Sequence, residues 1–127
     1  MKYIVMASFI LLMTACIPEN IKEKINHEMG NAQVMMADWE FKKAIGNIEL
    51  HKLRNGHYPN SLADLKFVSP MDSSIFANVE YTRLDSVYEL NIKMKFVSLD
   101  GEETGAIKLN YPTDFWQGLG CIRSNTK

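Results

Sequence analysis

The chain has 127 residues, enough for one modest domain and too few for two. Apolar residues make up 46% of it, so a real core can form, while 14 Lys and Arg against 15 Asp and Glu leave a formal net charge of -1. That balance argues against a nucleic-acid partner, which needs a basic excess gathered on one face. The longest uncharged apolar run, Tyr3 to Ala15, falls short of the roughly 20 residues of a membrane-spanning helix.

That run has the parts of an export signal. Met1-Lys2 supplies a positive start, Tyr3–Met13 an apolar centre, and Thr14-Ala15 small residues able to enter a narrow peptidase site. Cys16 then brings a nucleophilic sulfur. Met13-Thr14-Ala15-Cys16 resembles the lipobox of bacterial lipoprotein precursors: an aliphatic residue, a small or variable one, then Gly, Ala or Ser, then Cys. Met13 is a mild departure at the first position. The resemblance implies cleavage before Cys16, a thioether-linked diacylglycerol on its sulfur, and an amine acylated with a chain such as palmitate. One acyl chain binds a membrane only marginally, at about 0.8 kcal/mol per buried CH₂, so several chains on one residue make a durable anchor. Ile17 follows the cysteine in place of the Asp that resembles an inner-membrane retention signal, so the outer membrane is the expected address. Read without the resemblance, the segment is an ordinary signal peptide with Cys16 incidental, or a short uncleaved anchor. The expected division is a signal peptide over 1–15, a lipidated tether over 16–20, and a single α+β domain over 21–127.

Beyond Pro18, helical spacing begins. Ile21, Ile25, Ala32, Met36, Trp39, Leu50 and Leu53 fall within one stripe of a 3.6-residue wheel, with Met29 at its edge and Lys43 and Gly46 interrupting it. Val34, Ala37, Phe41, Ala44, Ile45 and Ile48 form a second stripe on roughly the opposite side. A break is allowed at Gly30-Asn31. The helix is expected to stop at Asn55-Gly56, where glycine can take the left-handed cap and Pro59 forbids resumption. Asn60–Leu65 reads as a short capped turn, with Ser61 as cap and Asp64 favouring the positive helix end. Lys66 to Asn78 reads as irregular.

The period then changes to two. Val79–Leu84 is an expected strand, Asp85-Ser86 a turn, and Val87–Val97 a longer strand whose Tyr88, Leu90, Ile92, Met94 and Phe96 alternate with polar residues. Asp100-Gly101 supplies turn chemistry, and Gly105–Tyr111 offers a further strand with Ile107, Leu109 and Tyr111 on one side. The expected fold is α+β: a long N-terminal helix packed on a three- to four-stranded antiparallel β-meander.

This order of elements resembles the soluble head of type IV pilins and of the major pseudopilins of type II secretion. The segment that carries the resemblance is Lys52-Leu53-Arg54-Asn55-Gly56-His57-Tyr58-Pro59-Asn60-Ser61-Leu62, and the match in order runs from about Asp38 to Tyr111. Taken residue by residue, the same segment is a good helix stop followed by a good helix start. Pilins begin with a very hydrophobic helix that packs into the filament axis, whereas Ile17–Met29 is rich in Lys, Glu and Asn. The resemblance therefore implies a pilin-like head on a lipid tether, not a polymerising subunit.

Enzyme signatures do not emerge. His27, His51 and His57 have no metal-ligand spacing with the cysteines, and His51 and His57 lie too far apart for one helix face; solvated or capping roles are expected. The serines lack an elbow motif and the glycines are dispersed. Asp100, Glu102 and Glu103 could offer oxygens to a hard cation, and the pseudopilin resemblance implies calcium in such a loop; a solvated hairpin tip is the plainer reading. With Cys16 lipidated, Cys121 is buried, free or paired between chains, and a buried thiol near the C-terminal aromatics is expected. The helix has one apolar stripe more than a single sheet can cover. Either Phe115, Trp116 and Leu119 cover the second, or Ile21, Ile25, Met36 and Trp39 form a face for an envelope protein or a second copy. The functional expectation is a lipid-anchored envelope protein working through protein contacts, without catalysis and without a cofactor beyond its lipid. The alternative is a periplasmic ligand- or calcium-binding module.

Overall fold

The computed structural model describes residues 17–67 and 69–127. The expected leader, the lipobox and Cys16 lie outside the described residues, as does Val68.

Helix α1 (Glu19–Asn55) dominates the fold. At about 1.5 Å per residue its 37 residues make a rod of roughly 55 Å. The break allowed at Gly30-Asn31 does not occur, because the helix is held laterally on both sides of the glycine. Asn26 Oδ1 accepts the Leu99 N–H at 3.1 Å. The Gln33 amide accepts from the Val97 N–H at 2.8 Å and donates to the Val97 carbonyl at 2.9 Å. Such contacts offset the roughly 1 kcal/mol that glycine costs in a helix interior. The stop falls at the expected place: Gly56 sits at φ 82°, and its N–H closes on the Lys52 carbonyl at 2.7 Å.

A 3-10 turn over Leu62–Asp64 follows, its entry secured by Asp64, whose carboxylate accepts the Asn60 and Ser61 N–H groups at 3.0 and 3.3 Å. The stretch expected to be irregular contains two further turns, Pro70–Ser74 and Ile75–Asn78. Ser69 and Asp72 cap the first: Ser69 Oγ accepts from the Met71 N–H, and Asp72 accepts from the Ser69 N–H, both at 3.3 Å.

Strands β1 (Val79–Leu84) and β2 (Val87–Ile92) pair antiparallel, joined by a turn at which Asp85 takes φ 64°. β3 (Lys95–Val97) and β4 (Glu103–Ala106) form a second antiparallel pair, and β5 (Cys121–Arg123) lies parallel beside β2. The α+β layering is the one expected, a long helix on an antiparallel-rich sheet. Its details differ from one meander in three places. The strand expected over Val87–Val97 divides at Lys93-Met94, because Asn125 takes both the N–H and the carbonyl of Ile92, at 3.0 and 2.9 Å, and Lys93 N–H turns to the Asn78 carbonyl at 2.9 Å. The strand expected over Gly105–Tyr111 keeps ladder pairing only through Ala106. The parallel β5 is a three-residue piece reached by a long connection, too short to show a period.

The core gathers between α1 and the first sheet. Ala37, Phe41, Ala44, Ile45 and Ile48 face Ile75, Val79, Tyr88, Leu90, Ile92 and Ile107. The buried stripe is thus the second of the two, and the sheet and the C-terminal segment cover it together. The Phe41 ring stacks on Tyr111 at 5.6 Å and meets Trp116 edge-on at 6.1 Å.

Candidate interaction face

With one stripe of α1 spent on the core, the other lies open. Ile21 and Ile25 stand near the helix start and Met36 and Trp39 about three to five turns further on, all on the outward side. Ile21 is 46% exposed, Met36 56% and Trp39 57%; Ile25 is half-buried. Met35, absent from the expected face, is the most open of its neighbours at 73%. On a 3.6-residue wheel it falls at the angle of Leu53, eighteen residues on, so it belongs to the edge of the same open stripe.

Trp39 is exposed yet fixed. Lys43 Nζ sits 4.9 Å from its ring centroid. That ammonium is itself held, donating to Glu40 at 2.6 Å, to Ser74 Oγ at 2.8 Å and to the Met71 carbonyl at 3.3 Å. An ordered, open tryptophan loses little side-chain entropy on binding, which is why such residues anchor interfaces. Two clefts flank the row on one side and share Val34. One of about 540 Å³ lies between Met35, Asp38 and Trp39 and the segment Lys108–Tyr111. The other, about 420 Å³, lies between Asn26–Val34 and the β3–β4 hairpin.

Two carboxylates enter the core, and each is consumed by structure. Glu40, 4% exposed, accepts from Lys43, from Ser74 Oγ at 2.8 and 2.9 Å, and from Asn78 Nδ2 at 3.1 Å. Burial alone would push its pKa up; the hydrogen bonds from Lys43, Asn78 and Ser74 and the Lys43 charge outweigh that and hold it below the ordinary carboxyl value. Glu49 accepts from Tyr58 Oη at 3.1 and 3.2 Å, from Tyr88 Oη at 2.9 Å and from the Gly120 N–H at 2.9 Å. Burial and the Glu49 charge push Tyr58 up to about 12 and Tyr88 higher still, so both phenols remain protonated donors. Neither carboxylate lines the clefts beside Trp39.

The remaining expected residues are not gathered into a site. Asp100, Glu102 and Glu103 are exposed at the β3–β4 hairpin, and Glu103 is bound to Lys95 at 2.8 Å. Among the described residues, no three His, Cys, Asp or Glu side chains are grouped to hold a metal. Cys121 is a buried thiol whose Sγ lies 3.3 Å from the Arg123 carbonyl, its pKa raised by burial. His57 follows the helix cap, and the turn brings its ring to 5.6 Å from that of His51, a contact the wheel does not reveal. His51 Nε2 is buried without a hydrogen-bond partner among the described residues. Burial, then the neighbouring His57, lower its pKa, while Asp64 opposes them.

These shifts fix the sign of an acid response. As pH falls through about 6.5, unfolded chains take up a proton that folded His51 resists, and stability drops. Further acidification, through the lowered pKa of Glu40, removes the stability that its ionised form supplies. Thermal melts at pH 7.5, 5.5 and 3.5 should therefore give steadily falling midpoints. An unchanged or higher midpoint at pH 5.5 contradicts the His51 assignment.

Comparison with known proteins brings no further constraint: no family model matches the chain, and no curated protein or solved structure matches it. Among the described residues no helix is long and apolar enough to cross a membrane.

Proposed function

We propose that this chain is a lipid-tethered, non-catalytic module of a bacterial envelope that works by contact with another envelope protein. The Met13–Cys16 pattern and the apolar run before it support a diacylated, N-acylated Cys16, and Ile17 after it supports the outer membrane. The observation that carries the contact reading is the division of labour on α1: one apolar side builds the core while Ile21, Met35, Met36 and Trp39 are left open on the other. Glu40 is bound by Lys43, and Glu49 by Tyr58 and Tyr88, which supports a structural assignment for these two carboxylates. The long helix, the Asn55–Leu62 turn and the antiparallel pair after it support kinship with pilin-like heads, moved here onto a tether.

The test is site-specific photocrosslinking in cells. A benzophenone side chain at position 39 is expected to give an adduct of defined mass, and one at Glu80, exposed on β1, is not. The double variant Met35→Ser with Met36→Ser should abolish the adduct while changing folding stability by about 0.5 kcal/mol or less, as surface positions do. Equal adducts from both positions, or none from 39, would count against the proposal.

A further inference from the structure

The strand expected over Gly105–Tyr111 keeps its alternation to its end. Ile107 and Leu109 are buried, Lys108 and Asn110 are exposed, and Tyr111 is half-buried, stacked between Phe41 and Phe115. The hydrogen bonding ends sooner. Ile107 N–H reaches the Met94 carbonyl at 3.0 Å. Beyond it, no N–H or carbonyl of Lys108, Leu109, Asn110 or Tyr111 has a hydrogen-bond partner among the described residues. Main-chain polar groups demand partners, and a strand-like row of them is a template for another strand.

This row is one wall of the 540 Å³ cleft, facing Val34, Met35 and Trp39. The charges of the cleft are uneven. Asp38 is already engaged, by Lys42 at 2.9 Å and by Tyr111 Oη at 2.8 Å. Lys108 has no anionic partner among the described residues. The cleft thus offers unpaired main chain on one wall, apolar side chains on the other and a positive end. A helix docked there would leave the main-chain groups unmet, because its own are already paired. An extended segment meets all three features.

We propose that this cleft takes up an extended segment of the partner protein by strand addition along Lys108–Tyr111, its alternate apolar side chains lying on Met35 and Trp39 and an acidic residue meeting Lys108. At about 3.4 Å per residue, the four-residue edge spans roughly 14 Å. The main chain supplies affinity and the Met35–Trp39 wall supplies side-chain selectivity, as in other cases of strand addition. The proposal rests on the contact-module reading and names the form of the partner.

The probe is an eight-residue peptide alternating valine and threonine with a terminal glutamate, at millimolar concentration, against the mature chain in mild detergent. Its counterpart is N-methylated at alternate residues, which removes one edge of donors and leaves the side chains. Amide hydrogen exchange at alternate residues within 108–111 is expected to slow at least about tenfold with the first peptide and not with the second, and Trp39 emission should shift to the blue. Lys108→Glu, at an exposed position, should weaken this peptide at least about fivefold and favour one ending in lysine. Unchanged exchange at 108–111 under saturating peptide overturns the proposal, as does equal binding of the N-methylated peptide. Protection at 108–111 before any peptide is added also overturns it. Such protection in a dimer assigns the edge to a second copy, and in a monomer to a segment of the same chain. A position-39 crosslink in cells, found alongside unprotected 108–111, removes strand addition and leaves the contact module standing.

Discussion

Replacing Glu40 by alanine is expected to lower the free energy of unfolding by about 3–5 kcal/mol, the usual cost of breaking a buried ion pair by removing one partner. The reason is what remains behind. Lys43, with only 10% of its side chain exposed, would keep its charge and lose its 2.6 Å carboxylate partner. Ser74 Oγ and Asn78 Nδ2 would lose Glu40 as acceptor as well, and these two donors tie α1 to the turns over 70–78. Glu40→Gln keeps the volume and an acceptor oxygen, so it should cost clearly less. Urea unfolding measures both: the midpoint should move and the slope should not. A loss under about 1 kcal/mol for the alanine variant would mean that the cluster is looser than its geometry indicates. Because Lys43 also steadies Trp39, this variant should broaden the rotamers of the contact face too.

Gly120→Ala is the second large effect, at about 2–3 kcal/mol, in the range of core overpacking. A Cβ at this position would overlap the Tyr58 ring, with Cε2 only 2.6 Å away. Tyr58 cannot easily give way, since its hydroxyl is held by Glu49 at 3.1 Å and its ring lies edge-on to Tyr88 at 4.8 Å. The Gly120 N–H also donates to Glu49, and its carbonyl accepts from the Tyr88 N–H at 2.9 Å. One added methyl group therefore strains both the hydroxyl cluster and the seat of β5 beside β2. In a Tyr58→Ala background the same change should cost much less, a non-additivity that thermal melts of the four proteins would measure. Additive losses would remove steric overlap as the cause.

Local chemistry was legible in the sequence wherever a single residue type enforces it. Gly56 ends α1, Asp85-Ser86 turns β1 into β2, and Val79–Leu84 forms as its alternation predicts, because turn preference and period act over a few residues. The two apolar stripes of α1 were legible too, but which of them is core was not, since a wheel carries no information about where the sheet lies. Non-local hydrogen bonds account for the rest. Asn125 ends β2 from 33 residues away, and Gln33 shields the β3 edge from a distance of 64; neither leaves a local pattern. The unpaired edge at Lys108–Tyr111 stayed hidden for the same reason. Exposure and missing pairing are properties of the folded surroundings, whereas period is a property of the chain.

The reading of this molecule as a tethered contact module turns on what is attached to residue 16. Intact-mass spectrometry of the chain extracted from membranes measures it directly. The expected species begins at Cys16 and exceeds the polypeptide mass of 16–127 by a glycerol and three fatty acyl groups. A chain that starts at any other residue, or one that starts at Cys16 with no added mass, contradicts the account.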